Sequence, residues 1–350
     1  MKALITGGAG FIGSHLAQHL LAAEHEVVVL DNLATGSLDN LSAISDHPRL
    51  RYICGSVLDE QLVDTLAGQV DTIFHLAAAV GSFVIRDRTL DSLRTNIQGT
   101  EHVLAAAHRH QARVLIASSS EIYGKNTKIG LREDDDRVVG SPLLHRWSYS
   151  EAKAVDESLT HAYVTERGLR AVIVRLFNTV GPRQSGRYGM VIPRFVTQAL
   201  AGEPLTVFGT GEQVRCFCHV LDVVPALVAL VEQPGAYGTA VNVGSSEQVS
   251  IRGLAHRVLA LTGSGSDIVQ MSYEEGIGPG YEDLQRRVPD CSRARELIGF
   301  QPTRTLDDIL RSVIAEMMLE PASGSSEMMP ERASGSSERS RPGLTPVAVV

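Results

Sequence analysis

The chain opens on a buried-strand pattern, Lys2-Ala3-Leu4-Ile5-Thr6, that runs directly into glycines at 7, 10 and 13. No other stretch restricts the fold so strongly. Glycines at this spacing, between a strand and a helical pattern from His15 to Leu21, let the backbone turn tightly and let a helix pack closely on a sheet. A helix that begins there offers free N–H groups and a partial positive charge to phosphates. A second apolar run, Val27 to Leu30, ends at Asp31, 18 residues past Gly13. A carboxylate in that place accepts hydrogen bonds from ribose hydroxyls and repels a 2′-phosphate. The next residues, Asn32-Leu33-Ala34-Thr35, contain no arginine, so NAD is favoured over NADP. Glycines alone would describe any tight turn. Strand, turn, helix, second strand and acid together describe a dinucleotide site.

The same alternation continues. Thr72-Ile73-Phe74, Val114-Leu115-Ile116 and 171–176 read as strands, and Thr100 to Ala107 as a helix face. Alternating strands and helices imply βαβ units and a parallel sheet. The expected architecture is α/β: a Rossmann-type doubly wound parallel sheet over residues 1–180, then a smaller substrate-binding lobe occupying mainly 181–319. Helices are expected over 221–232, 250–262 and 305–318, with a ligand cleft at the carboxyl ends of the strands. From 320 the chain turns small and polar and repeats Ala-Ser-Gly-Ser-Ser-Glu at 322–327 and 333–338. Such a segment buries too little apolar area to offset its ordering entropy, so 320–350 is expected to be a disordered tail.

Composition closes off several functions. The net charge of −8 argues against nucleic acid or an anionic membrane as a general partner. No apolar run approaches the ~18 residues of a membrane span, and the initial strand leaves no room for a signal peptide. The four cysteines are too few for a disulfide framework, and the Cys216-x-Cys218 pair lacks a second pair to complete a metal site. They are expected as reduced thiols in a cytoplasmic protein without a bound metal, with Cys54 filling the core.

Tyr149 and Lys153 stand at i and i+4, on one helix face. A tyrosine ordinarily titrates near 10, and a fixed cation beside it favours the phenolate and makes it a better base. The serine run Ser118-Ser119-Ser120, followed by Glu121, ends a strand just upstream and can bridge the phenol to a substrate oxygen. With these stand His75-Leu76-Ala77-Ala78, Thr95-Asn96-x-x-Gly99-Thr100, Phe177-Asn178-Thr-x-Gly-Pro-Arg183 and Arg215-x-Phe-x-x-Val-x-Asp222. Together the motifs resemble the extended short-chain dehydrogenases/reductases that modify nucleotide sugars, over about residues 1–318.

The resemblance implies roles residue by residue. Gly7, Gly10, Phe11, Ile12, Gly13, Asp31, Asn32, Ser56, Val57, Leu76, Ala77, Ala78 and Asn96 would hold NAD. Tyr149 would be the base, Lys153 would lower its pKa and hold the nicotinamide ribose, and Ser119, with Ser120 beside it, would hydrogen-bond the sugar's O4. Asn178, Arg183, Arg215 and Arg287 would contact the substrate, Arg287 pairing with its diphosphate. Where relatives often carry Asp and an aliphatic after the third strand, this chain has Ser56-Val57, which places the adenine contact on Ser56. A homodimer through helices over 92–108 and 150–167 is the family habit.

The family shares oxidation at C4 and then divides. A 4-keto sugar can be re-reduced on the other face by an epimerase, lose water in a 4,6-dehydratase, or lose CO2 when C6 is a carboxylate. Ser120-Glu121 and Arg146-Trp147-Ser-Tyr149 are similar to the UDP-glucuronate decarboxylases, and the expected role of Glu121 is to repel the departing carboxylate. The rivals are a UDP-sugar 4-epimerase in which Glu121 pairs with Arg183 or Arg215, a dehydratase, and a sensor that binds NAD and a nucleotide sugar without turnover.

Overall fold

The computed structural model describes residues 1–319 except 80, 187, 188, 277, 279–281 and the side chains of 82–84. The tail expected from 320 lies outside the described residues. The first half contains β1 (Lys2–Thr6), α1 (Phe11–Ala22), β2 (Glu26–Asp31), β3 (Leu50–Cys54), α2 (Glu60–Ala67) and β4 (Thr72–His75). It continues with α3 (Ser82–Asp87), α4 (Thr89–Arg109), β5 (Arg113–Ser119), α5 (His145–Arg167) and β6 (Ala171–Leu176). Runs such as Ala3-Leu4-Ile5 and Val27 to Leu30 are apolar on both sides, which suits strands covered on both faces.

Then follow β7 (Thr179–Val180), α6 (Val191–Leu200), β8 (Leu205–Phe208), β9 (Val214–Cys216), β10 (Cys218–His219), α7 (Val220–Glu232) and β11 (Ala240–Val243). The last elements are β12 (Gln248–Ser250), α8 (Ile251–Thr262), β13 (Ile268–Met271), α9 (Tyr273–Gly276), β14 (Arg286–Arg287), α10 (Ser292–Ile298) and α11 (Leu306–Leu319).

Seven strands form one parallel sheet in the order β11-β6-β5-β4-β1-β2-β3. Leu16, Leu20, Val223 and Leu227, from α1 and α7, are buried over one face. Val63, Leu66, Val103 and Leu104, from α2 and α4, are buried over the other. The chain departs from β1 in opposite directions, so the crevice outside the carboxyl ends of β1 and β4 is the natural ligand site of such a sheet. The expected division at residue 180 is crossed, because α7 and β11 lie beyond it yet complete the sheet. β11 pairs with β6 with Val241 opposite Val174. Its four residues lie among segments that otherwise build the second lobe, which hid it in the sequence.

That second lobe packs α6, α8 and α11 around Phe195, Leu205, Leu254 and Leu310. One sequence expectation fails: Cys54 is exposed, because it ends β3, the edge strand of the sheet. All four cysteines are free thiols.

Candidate active site

The site begins at the carboxyl end of β1. Gly7 turns the chain with φ +73°, and a Cβ there would lie 2.8 Å from the Ala77 backbone nitrogen. Gly13 packs on the Gly7 carbonyl, where a Cβ would collide. Gly10 caps α1 with no side chain over its first amides and no acid in the first turn, so the amides of Phe11, Ile12 and Gly13 are available to an anion.

Asp31 is buried at the end of β2. Its Oδ2 accepts from Ala9 N at 3.0 Å and its Oδ1 from Leu33 N at 2.8 Å, which fixes the carboxylate at the lip of the glycine turn. Asn32 is exposed beside it. Ser56 follows β3 and its Oγ accepts from Leu58 N at 3.2 Å, while Val57 is buried under Gly99. Leu76, Ala77 and Ala78 follow β4, and Asn96 braces that loop by accepting from Ala79 N at 3.0 Å. The predicted cofactor residues therefore converge on the carboxyl ends of β1 to β4. A cradle that only glycine can line, an uncapped helix start and a fixed carboxylate suit a dinucleotide.

The expected catalytic residues Tyr149 and Lys153 stand on α5, which faces the end of β5. Tyr149 and Lys153 are both buried, with Lys153 Nζ 6.0 Å from the tyrosine ring centre. The Ser119 hydroxyl is a hydrogen-bonding neighbour of the phenol and accepts from Glu121 N at 3.2 Å. Ser150 locks the turn in place by donating to the Glu121 carbonyl at 2.9 Å. Ser120 is buried in that turn. Ser118 serves the frame instead, donating to Glu157 Oε1 at 2.5 Å beside the Glu157–Arg175 ion pair.

The expected lowering of the Tyr149 pKa is present but outweighed. Burial raises the phenol above its usual value, Lys153 pulls it down, and Glu121 and Asp156 push it up again. Burial also disfavours the Lys153 ammonium, yet Asp156 and Tyr149 outweigh this and keep it charged.

The expected substrate residues bring together side chains from distant parts of the chain. Arg146 Nη2 lies 2.7 Å from Glu121 Oε2, and Arg287 pairs with Glu121 Oε1. Burial opposes a charge on Glu121, but Arg146 and Arg287 hold its carboxyl far below the usual carboxylate range. Arg287 also donates to Asn178 Oδ1 at 3.1 Å, so its guanidinium joins Glu121 and Asn178. Arg215 Nη2 donates to Asp283 Oδ1 at 2.6 Å and its Nη1 to the Leu284 carbonyl at 2.7 Å. Arg183 is not brought to this cluster. It reaches α1, donating to Gln18 Oε1 at 2.7 Å, and its backbone N–H donates to Glu316. The pairing of Glu121 with Arg183 or Arg215 is thus replaced by Arg146 and Arg287.

Residues 3–244 match the profile of the NAD dependent epimerase/dehydratase family. The chain belongs to that family. It is 38% identical over 314 residues to the UDP-N-acetyl-alpha-D-glucosaminuronate decarboxylase of Bacillus cytotoxicus, covering 89% of this chain and 96% of the relative. It is 37% identical to UDP-glucuronic acid decarboxylase 1 of Xenopus tropicalis, covering 89% and 71% respectively. Among solved structures, the UDP-glucuronic acid 4-epimerase of Bacillus cereus, in complex with UDP-glucuronic acid and NAD, superposes with a TM-score of 0.82 at 28% identity. It covers 91% of this chain and 99% of that one.

As a member of the NAD dependent epimerase/dehydratase family the chain is an enzyme, and its cofactor is NAD. Asp156 escapes a reading of motifs. Arg146 is visible in the Arg-Trp-Ser-Tyr motif but not as a partner of Glu121; it precedes Tyr149 by three positions and so shares its helix face. Asp156 stands in the same relation after Lys153.

Proposed function

We propose that this enzyme decarboxylates a UDP-linked hexuronate, UDP-glucuronate in the first instance, to give CO2 and UDP-xylose through a 4-keto sugar. The carrying observation is that the arginines at the sugar end are already held by protein carboxylates, Arg146 and Arg287 by Glu121 and Arg215 by Asp283. A substrate carboxylate entering there meets guanidinium groups already engaged by protein carboxylates, with one positive charge in excess rather than three. It is left untethered, which suits its departure. A 4-epimerase acting on the same sugar must hold that carboxylate with cations of its own. This replaces simple repulsion by Glu121, whose charge is compensated twice.

In this reading Tyr149 takes the O4 proton while Ser119 hydrogen-bonds that oxygen, and Lys153 stabilises the phenolate and reaches the nicotinamide ribose. NAD, when bound, would supply the hydride acceptor for C4 oxidation and the hydride for the later reduction. With C4 a ketone, the C5 carboxylate is a β-keto acid. The electrons of the C5–C6 bond pass into the carbonyl, CO2 leaves, and the Tyr149 phenol steadies the enolate oxygen. C5 then takes a proton from solvent, and Tyr149 gives its proton back to O4 as C4 is reduced.

The relatives point the same way, and the one from Bacillus cytotoxicus favours a second substrate, UDP-N-acetylglucosaminuronate. Incubation with each uronate, with UDP-glucose and with dTDP-glucose, followed by mass spectrometry and NMR, tests the proposal. CO2 and a UDP-pentose from a uronate support it. UDP-galacturonate as the main product establishes the epimerase, a 4-keto-6-deoxy sugar the dehydratase, and unchanged sugars the sensor.

The same reading makes the enzyme a cytoplasmic homodimer that pairs through α4 and α5, where Val155 is 40% exposed. Light scattering at twice the 37.7 kDa chain mass is the expected result. No helix among the described residues is long and apolar enough to cross a membrane.

A further inference from the structure

Behind Tyr149 and Lys153 lies a buried carboxylate that the reaction above does not use. Asp156 is completely buried on α5, and its Oδ2 accepts from Lys153 Nζ at 3.1 Å. Its Oδ1 is buried without a hydrogen-bond partner among the described residues. The Thr100 hydroxyl of α4 is a hydrogen-bonding neighbour of the carboxylate, and lies 3.1 Å from His75 Nε2 of β4. A lone carboxylate in such a place is costly unless a cation offsets it. Here the cation is the catalytic lysine itself.

We propose that Asp156 is a positioning residue: it anchors the Lys153 ammonium and, as its counter-charge, sets the pH at which Tyr149 becomes the base. An ammonium held by a carboxylate does less for a phenolate than a lone ammonium, because the two charges oppose each other at the phenol. The structure holds the groups needed to judge this. Along α5 they are Tyr149, Lys153 and Glu157, the last occupied by Arg175 of β6. From the turn after β5 comes Glu121, occupied by Arg146 and Arg287. From β4 comes His75, which burial and Lys153 hold neutral, with a pKa lowered to about 3. From α4 comes the uncharged Thr100. Among the described residues Asp156 is the one carboxylate paired with the catalytic lysine. Burial pushes its own carboxyl up, and Lys153 opposes this.

The inference rests on Tyr149 as the base, and the test does not depend on which sugar is the substrate. Tyrosinate absorbance of the full chain is titrated in wild type and in Asp156→Asn, with Tyr149→Phe subtracted in each background. Removing the counter-charge should lower the Tyr149 midpoint by about one pH unit. The acid limb of kcat/KM in the NAD-loaded enzyme should move down with it, and Asp156→Glu should restore both. If Asp156→Asn does not fold, Asp156→Ala is read in the same way. An unmoved midpoint would make Asp156 a structural residue only, and an upward shift would show that it serves merely to keep Lys153 protonated; either overturns the proposal. Loss of the Tyr149-dependent signal in wild type would instead count against Tyr149 itself.

Discussion

At the cofactor end the geometry is carried by backbone: a glycine turn, bare helix amides and a carboxylate tied to the amides of Ala9 and Leu33. At the sugar end it is carried by long side chains, Glu121, Arg146, Arg287, Arg215 and Asp283, which meet across as many as 166 positions of sequence. The first half is local and needs only a strand, a turn and a helix in the right order. The second exists only once two lobes have closed on each other. The lesson is one of division: on the proposed reading the backbone half binds what the whole family shares, and the side-chain half decides what happens to the sugar.

The largest expected effect strikes where the halves meet. Tyr149→Phe should cost about 10²–10⁴ in turnover while the fold and NAD binding persist. Near-normal turnover would remove Tyr149 as the base. Next comes the sugar half alone. Glu121→Gln frees Arg146 and Arg287 to clamp the substrate carboxylate, so CO2 release should fall by about 10²-fold, the cost of roughly one well-placed charged group. C4 oxidation should continue, and the absorbance of reduced nicotinamide should rise in the bound state. CO2 yield equal to wild type would mean that the arginine pairing is structural.

The converse lesion is Asp31→Ala. Losing hydrogen bonds to a charged acceptor should weaken NAD by about 1.5–3 kcal/mol and relax the rejection of NADP, without changing the product. Isothermal titration with both cofactors measures this, and unchanged NAD affinity would contradict the ribose assignment.

These predictions follow how much the sequence discloses. Gly7, Gly10, Gly13 and Asp31 are legible because each answers a local steric or hydrogen-bonding demand. Tyr149 and Lys153 are legible because a helix brings i and i+4 together. Arg287 is visible as a residue but not as a partner. Its pairing with Glu121 depends on β14 aligning beside β9, which no local pattern shows. Asp156 is hidden for a related reason, since only burial distinguishes it from an ordinary helix-surface acid. Cys54 misleads in the opposite sense, looking like core until the sheet order places β3 at an edge.

The smallest effect concerns stability. His75 and His15 are buried, and burial lowers their pKa values to about 3 and about 4. The unfolded chain takes up protons at these imidazoles near pH 6.5, whereas the folded chain does not until far lower. The stability they contribute is therefore complete above pH 6.5 and is lost as pH falls toward 3–4, at up to about 1.4 kcal/mol per pH unit for each. Urea midpoints should fall from pH 7 to pH 5.5; constant midpoints would contradict the burial argument.

The claim that ties both halves together is that one hydride leaves C4 and returns to the same sugar after CO2 has gone. UDP-glucuronate carrying deuterium at C4, turned over by the full chain with catalytic NAD, tests it in one spectrum. The account predicts release of CO2 and a UDP-pentose that retains deuterium at C4. UDP-galacturonate without CO2, or a pentose that has lost the label, would contradict it.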